Sequence, residues 1–79
     1  MIEKTADEMF NELYYTKDET SSWMTNNGIV YRYGHLFIGF DFDTKSLITY
    51  YDDYDSGKFI ISPELYKAIT KKMEELGWL

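Results

Sequence analysis

The apolar pattern of this chain changes period twice, and the gaps inside its middle section are short. Residues near both ends recur at helical spacing, whereas the stretch between them alternates at period two. Ile29–Tyr33, Leu47–Tyr51 and Lys58–Ile61 are rich in β-branched and aromatic side chains. In His35–Asp43, Leu36, Ile38, Phe40 and Phe42 alternate with His35, Phe37, Gly39 and Asp41. Turn-forming residues divide these segments: Asn26-Asn27-Gly28, Gly34, Asp43-Thr44-Lys45, and the stretch from Asp52 to Gly57. Parallel strands need crossovers of about a dozen residues or more, and none of these gaps is that long. The middle of the chain therefore reads as an antiparallel meander of three or four strands. Ser22–Thr25 is a candidate for one more short strand.

The flanking segments carry helix punctuation. Thr5 and Glu8 fit a capping box, in which each side chain serves the other's free backbone N–H. Ala6, Met9, Phe10 and Leu13 then form one apolar stripe of a helix running from Thr5 to about Tyr15. Near the other end, Ser62 is a good N-cap and Pro63 suits the first helical position, where its missing N–H costs nothing. Leu65, Ile69, Met73 and Leu76 make the second stripe, with Tyr66 and Ala68 beside it and Lys67, Lys71 and Lys72 outside it. Glu74 and Glu75 sit at the end where the helix dipole disfavours them. Gly77 is a natural left-handed stop, and Trp78 is placed to fold back on Met73.

These elements give an α+β domain of the order α-β-β-β(-β)-α, one domain spanning residues 1–79. An antiparallel sheet usually buries one face and wets the other. The expectation is that the helices cover the side of Leu36, Ile38 and Phe40. His35, Phe37, Gly39 and Asp41 would then face away, and some of Phe37, Tyr50, Tyr51, Tyr54 and Phe59 would stay partly exposed.

Composition excludes more than it assigns. There is no Cys, which removes disulfides and thiolate metal sites, and a single His removes multi-His sites. Aromatic residues make up 19% of the chain, too many for a disordered tail. No apolar run approaches the roughly 18 residues of a membrane span, and no signal-peptide stretch opens the sequence. The expected location is cytoplasmic. A chain of 79 residues has a thin core with little room for a deep substrate pocket. No nucleophile–base pair accompanies His35, and no glycine-rich phosphate loop is present, so the chain reads as non-catalytic and without a cofactor. Asp53, Asp55 and Glu64 fall at three positions of a calcium-loop count. Gly57 and Lys58 break that pattern, and Glu64 belongs to a helix start, so no metal site is assigned.

The net charge is −6, which disfavours direct binding to nucleic acid. The same charge points to a basic protein partner. Asp41, Asp43, Asp52, Asp53 and Asp55 interleave with Tyr50, Tyr51 and Tyr54. Together they form a candidate acidic, aromatic protein-binding face, in which charge steers the encounter and rings supply anchors. The competing reading is an acidic surface that merely keeps a small protein dispersed.

Two outer segments, 4–13 and 65–78, resemble short uncharacterised phage and prophage proteins of Gram-positive bacteria. The central Phe40-Asp41-Phe42-Asp43-Thr44-Lys45-Ser46-Leu47 resembles their strand–turn–strand. The chain departs from that pattern in its Ser21–Asn27 stretch and its longer acidic loop. The resemblance implies a virus-borne accessory protein acting in an infected or lysogenic host. It carries no catalytic or binding residues across. By analogy with such proteins, the expected role is inhibition of a basic, nucleic-acid-binding host protein, a DNA-processing or defence enzyme, in the manner of an anti-CRISPR inhibitor. The alternatives are a small-molecule binder that sequesters a nucleotide signal, and a structural or assembly component of a virion.

Overall fold

A computed structural model of the chain describes residues 3–18, 24–51 and 60–79. The elements are α1 (Ala6–Glu12), β1 (Thr16–Lys17), β2 (Gly28–Tyr33), β3 (Leu36–Asp41), β4 (Ser46–Tyr51) and α2 (Pro63–Glu75). The order is helix, four-stranded antiparallel sheet, helix, an α+β fold. The chain forms two compact units, a helical one of residues 1–15 with 60–79 and a sheet unit of residues 16–59.

In the helical unit, the two helices are joined by polar contacts that run between their ends. Thr5 caps α1: its hydroxyl accepts from the Glu8 N–H at 3.2 Å, and the Glu8 carboxylate accepts from the Thr5 N–H at 3.2 Å. A third N-terminal donor, the Ala6 N–H, bonds the Glu75 carboxylate at 2.8 Å. Glu75, unfavourable at the end of its own helix, thus serves the positive end of the other. Its second oxygen lies 3.9 Å from the Lys72 ammonium, which also approaches Asp7 at 3.8 Å. Lys72 is consequently buried, 8% exposed, rather than lying outside the packed side of α2 as its charge suggests. A long lysine stem can be buried when its tip meets carboxylates.

Both helices stop in the same way. Trp78 N–H donates to the Met73 carbonyl at 2.9 Å, Gly77 N–H to Glu74 at 3.0 Å, and Gly77 takes φ +78°. This is the left-handed cap foreseen from the glycine. The α1 helix ends at Glu12, earlier than its apolar stripe implies. Tyr15 N–H bonds the Phe10 carbonyl and Tyr14 N–H that of Asn11, both at 2.9 Å. Tyr14 takes φ +69° without being glycine, and the Tyr15 and Phe10 rings meet edge to face at 5.9 Å. That ring contact is the apolar clasp such a cap favours.

The sheet order is β1-β2-β3-β4, all antiparallel. Gly34, at φ +57°, opens the two-residue β2–β3 turn and leaves His35 exposed. The fourth strand is β1, two residues too few to show any alternation. Ile60 and Ile61 lie outside any strand and are exposed, at 75% and 43%, because they lead directly into the extended Ser62 cap of α2. Met24 and Thr25 likewise form no strand, and the rest of the expected strands Ser22–Thr25 and Lys58–Ile61, namely Ser22, Trp23, Lys58 and Phe59, lies outside the described residues.

Replacing Glu75 with Ala removes the acceptor of the Ala6 N–H and one counter-charge of a buried lysine. The expected loss is about 2 kcal/mol of stability, against less than about 0.5 kcal/mol for Glu74→Ala. Urea unfolding midpoints of the two variants check the difference.

Candidate protein-binding surface

Directly opposed residues of an antiparallel pair project to the same side of the sheet. One face of this sheet therefore carries Arg32, Phe37 and Tyr50 in a row, then Val30, Gly39 and Ile48, with Asp41 and Ser46 at the turn end. The other face carries Tyr31, Ile38 and Phe40, which are 1% exposed or less, together with Tyr51.

The first row is a stack. The Arg32 guanidinium lies 5.3 Å from the Phe37 ring centre, and the Phe37 and Tyr50 rings are 6.0 Å apart at 54°. Arg32 is held in place: its Nε donates to the Gly34 carbonyl at 2.9 Å, and its Nη1 lies 3.9 Å from Asp18. Phe37 is therefore only 7% exposed, whereas Tyr50 keeps 44% of its surface in solvent. In the next row Gly39 is buried, and a Cβ there would meet the Met24 methyl at 3.3 Å. The expectation that Phe37 and Gly39 stay wet is thus corrected. Atoms of the sheet unit itself, from Arg32, Tyr50 and Met24, cover them. Tyr50 is the ring that this face offers outward.

Asp41 and Asp43 do not form an idle pair. Asp41 Oδ1 accepts the Asp43 N–H at 3.0 Å, and Asp43 Oδ1 accepts from the Asn27 side chain at 3.2 Å. Phe42 N–H also bonds the Asn27 carbonyl, at 2.8 Å. The strand ends at Asp41, so Asp43 belongs to the turn, where it is exposed while Asp41 is half-buried. Tyr50 and Asp41 share a face but sit four residues of strand apart, about 13 Å. Tyr51 projects from the opposite face. Asp52, Asp53, Tyr54 and Asp55 lie outside the described residues; in the sequence they follow Tyr51 directly. Among the described residues, no group of three acidic or histidine side chains is placed to hold a metal ion.

The helical unit carries a feature that the sequence reading did not find. A groove of about 580 Å³ runs between α1 and α2, lined by Met9, Tyr66, Lys67, Lys71, Lys4 and Glu3 among others. Tyr66 is 65% exposed. Lys71 bonds Glu3 at 2.9 Å, and that hydrogen bond raises its ammonium above the ordinary lysine value, so it stays charged through the neutral range. Lys4 is clamped by both oxygens of Glu12 at 2.8 Å. The signal was Tyr66 beside the apolar stripe of α2, followed directly by Lys67 outside it.

Comparison with protein-family models, with curated proteins and with solved structures returned no match.

The turn makes two predictions. Lys45 takes φ +54°, so Lys45→Gly is expected to stabilise the chain by about 1 kcal/mol. Asp41→Ala leaves the Asp43 N–H without its acceptor and is expected to cost about 1 kcal/mol. Thermal melting of both variants shows whether the shifts have these opposite signs.

Proposed function

We propose that this chain is a non-catalytic binding protein that inhibits a basic, nucleic-acid-binding protein of a bacterial host. The observation that carries the reading is Tyr50. It is an exposed ring on β4, fixed by Phe37 of the neighbouring β3, which is itself stacked under a tethered Arg32. A half-exposed aromatic with its geometry settled before binding loses little freedom on contact, and that is how interface anchors act. The aspartates of the candidate face flank this strand in the sequence, Asp41 and Asp43 before it and Asp52, Asp53 and Asp55 after it. Their charge suits the steering of a cationic surface. In this reading the chain occupies the surface on which its partner would hold phosphate. An anti-defence protein carried by a phage is the biological setting that such an activity fits.

A second reading has its own support. The α1–α2 groove pairs an exposed Tyr66 with Lys67 and Lys71, a ring and cations suited to a small anionic aromatic molecule such as a nucleotide. Thermal stabilisation by a nucleotide panel, lost in Tyr66→Ala and Lys67→Ala, is what this reading requires.

The main reading is tested on a partner purified after capture from host lysate. Changing Asp52, Asp53 and Asp55 to Asn is expected to slow association at least tenfold at low salt and hardly at all at high salt. Tyr50→Ala is expected to speed dissociation by about thirtyfold, the equivalent of about 2 kcal/mol. A partner indifferent to both changes contradicts the proposal.

A further inference from the structure

Helical spacing sets which face of α2 lines the α1–α2 groove. Tyr66, Thr70 and Glu74 recur every fourth residue, and Lys67 and Lys71 form the neighbouring row. Thr70 therefore lies one turn on from both Tyr66 and Lys67. Met9 enters from α1. The groove's volume, about 580 Å³, is ordinary for a small-molecule site. The Tyr66 ring, the Met9 thioether and the lysine stems make most of its wall carbon.

Most of the charge along this groove is already committed. Lys4 is paired with Glu12 at 2.8 Å and Lys71 with Glu3 at 2.9 Å. Glu74 adds a further negative charge beside Lys71. Lys67 is exposed and, among the described residues, has no ion-pair partner. The Thr70 hydroxyl is half-buried and likewise makes no hydrogen bond among the described residues. An adjoining recess of about 180 Å³ shares Lys4, Met9 and Lys67 with the groove and adds Leu13, Glu12 and Glu64. Along α2, carboxylates thus stand on both sides of Lys67, Glu64 one turn before it and Glu74 two turns after it.

We propose that this groove binds a small molecule with a flat aromatic body and a single negative charge, the ring against Tyr66 and Met9 and the anion on Lys67 and Thr70. This rests on the second reading above and narrows its ligand. An ammonium and a hydroxyl one turn apart can donate together to one carboxylate or one phosphodiester. A tyrosine ring and a thioether favour a flat ring over an alkyl chain. A polyphosphate is disfavoured: its further charges would lie beside Glu3, Glu64 or Glu74, with no uncommitted cation among the described lining residues to meet them.

Four probes separate the ring, the charge and the source of the anion: 2-naphthoate, its neutral amide, cyclic AMP with one phosphodiester charge, and ATP. Each is titrated into the isotope-labelled full chain and followed by NMR. The expected result is saturable shifts of the Tyr66, Lys67 and Thr70 amides with 2-naphthoate or cyclic AMP. The neutral amide should bind about tenfold more weakly than 2-naphthoate, and ATP about tenfold more weakly than cyclic AMP. Lys67→Gln, a change at an exposed position of α2, should weaken 2-naphthoate to the level of its amide, whereas Tyr66→Ala should weaken both alike. ATP that binds as tightly as cyclic AMP overturns the single-charge limit and leaves the second reading standing. Saturation by 2-naphthoate with no response to either nucleotide keeps the proposal and removes nucleotides from that reading. Groove amides that respond to none of the four probes overturn both. Equal losses of 2-naphthoate and its amide in Lys67→Gln overturn the placing of the anion. Shifts of these amides that depend on protein concentration without any probe overturn the proposal too, because a second copy would then fill the groove.

Discussion

The pairing of β3 with strands on both sides decides what the sheet can present. Its register lines up Arg32, Phe37 and Tyr50 across three strands and places Gly39 between Val30 and Ile48. A slip of one residue would send every one of these side chains to the other face. The tethered stack and the exposed Tyr50 both follow from that single alignment. Gly28 helps to hold it: any Cβ there would run into the Phe40 carbonyl, so the close approach of β2 and β3 needs glycine.

Much of this was legible in the residues. Capping signals are local, and the Thr5–Glu8 box, the Ser62-Pro63 start and the Gly77 stop are all found where the sequence put them. The antiparallel order followed from gap lengths alone. What escaped was non-local or too brief to carry a period. Thr16–Lys17 shows no alternation because two residues cannot. Ile60 and Ile61 have strand composition, yet the chain needs them as an extended approach to a helix cap. Tyr14 ends α1 in a left-handed conformation that its side chain does not advertise.

The described residues of the candidate surface differ in how the fold places them. Tyr50 is exposed as expected, but Tyr51 points the other way, since neighbours in a strand must. Asp41 and Asp43 are tied into the turn that ends β3, so their carboxylates shape the backbone as well as carrying charge. Phe37 and Gly39 lie under side chains of their own unit. In the helical unit, Glu75 and Lys72 look misplaced along α2 and become intelligible only through α1, whose N-terminus one bonds and whose Asp7 the other approaches. Contacts between segments some 69 residues apart leave no local trace in sequence.

The account stands on the register of β3 between β2 and β4, and cross-strand proton–proton contacts of the free chain, read by NMR, test it most directly. Phe37 should contact both Arg32 and Tyr50, and Gly39 both Val30 and Ile48. Contacts that set Tyr50 opposite Leu36 or Ile38 instead would mean a register slipped by one residue and would contradict the account.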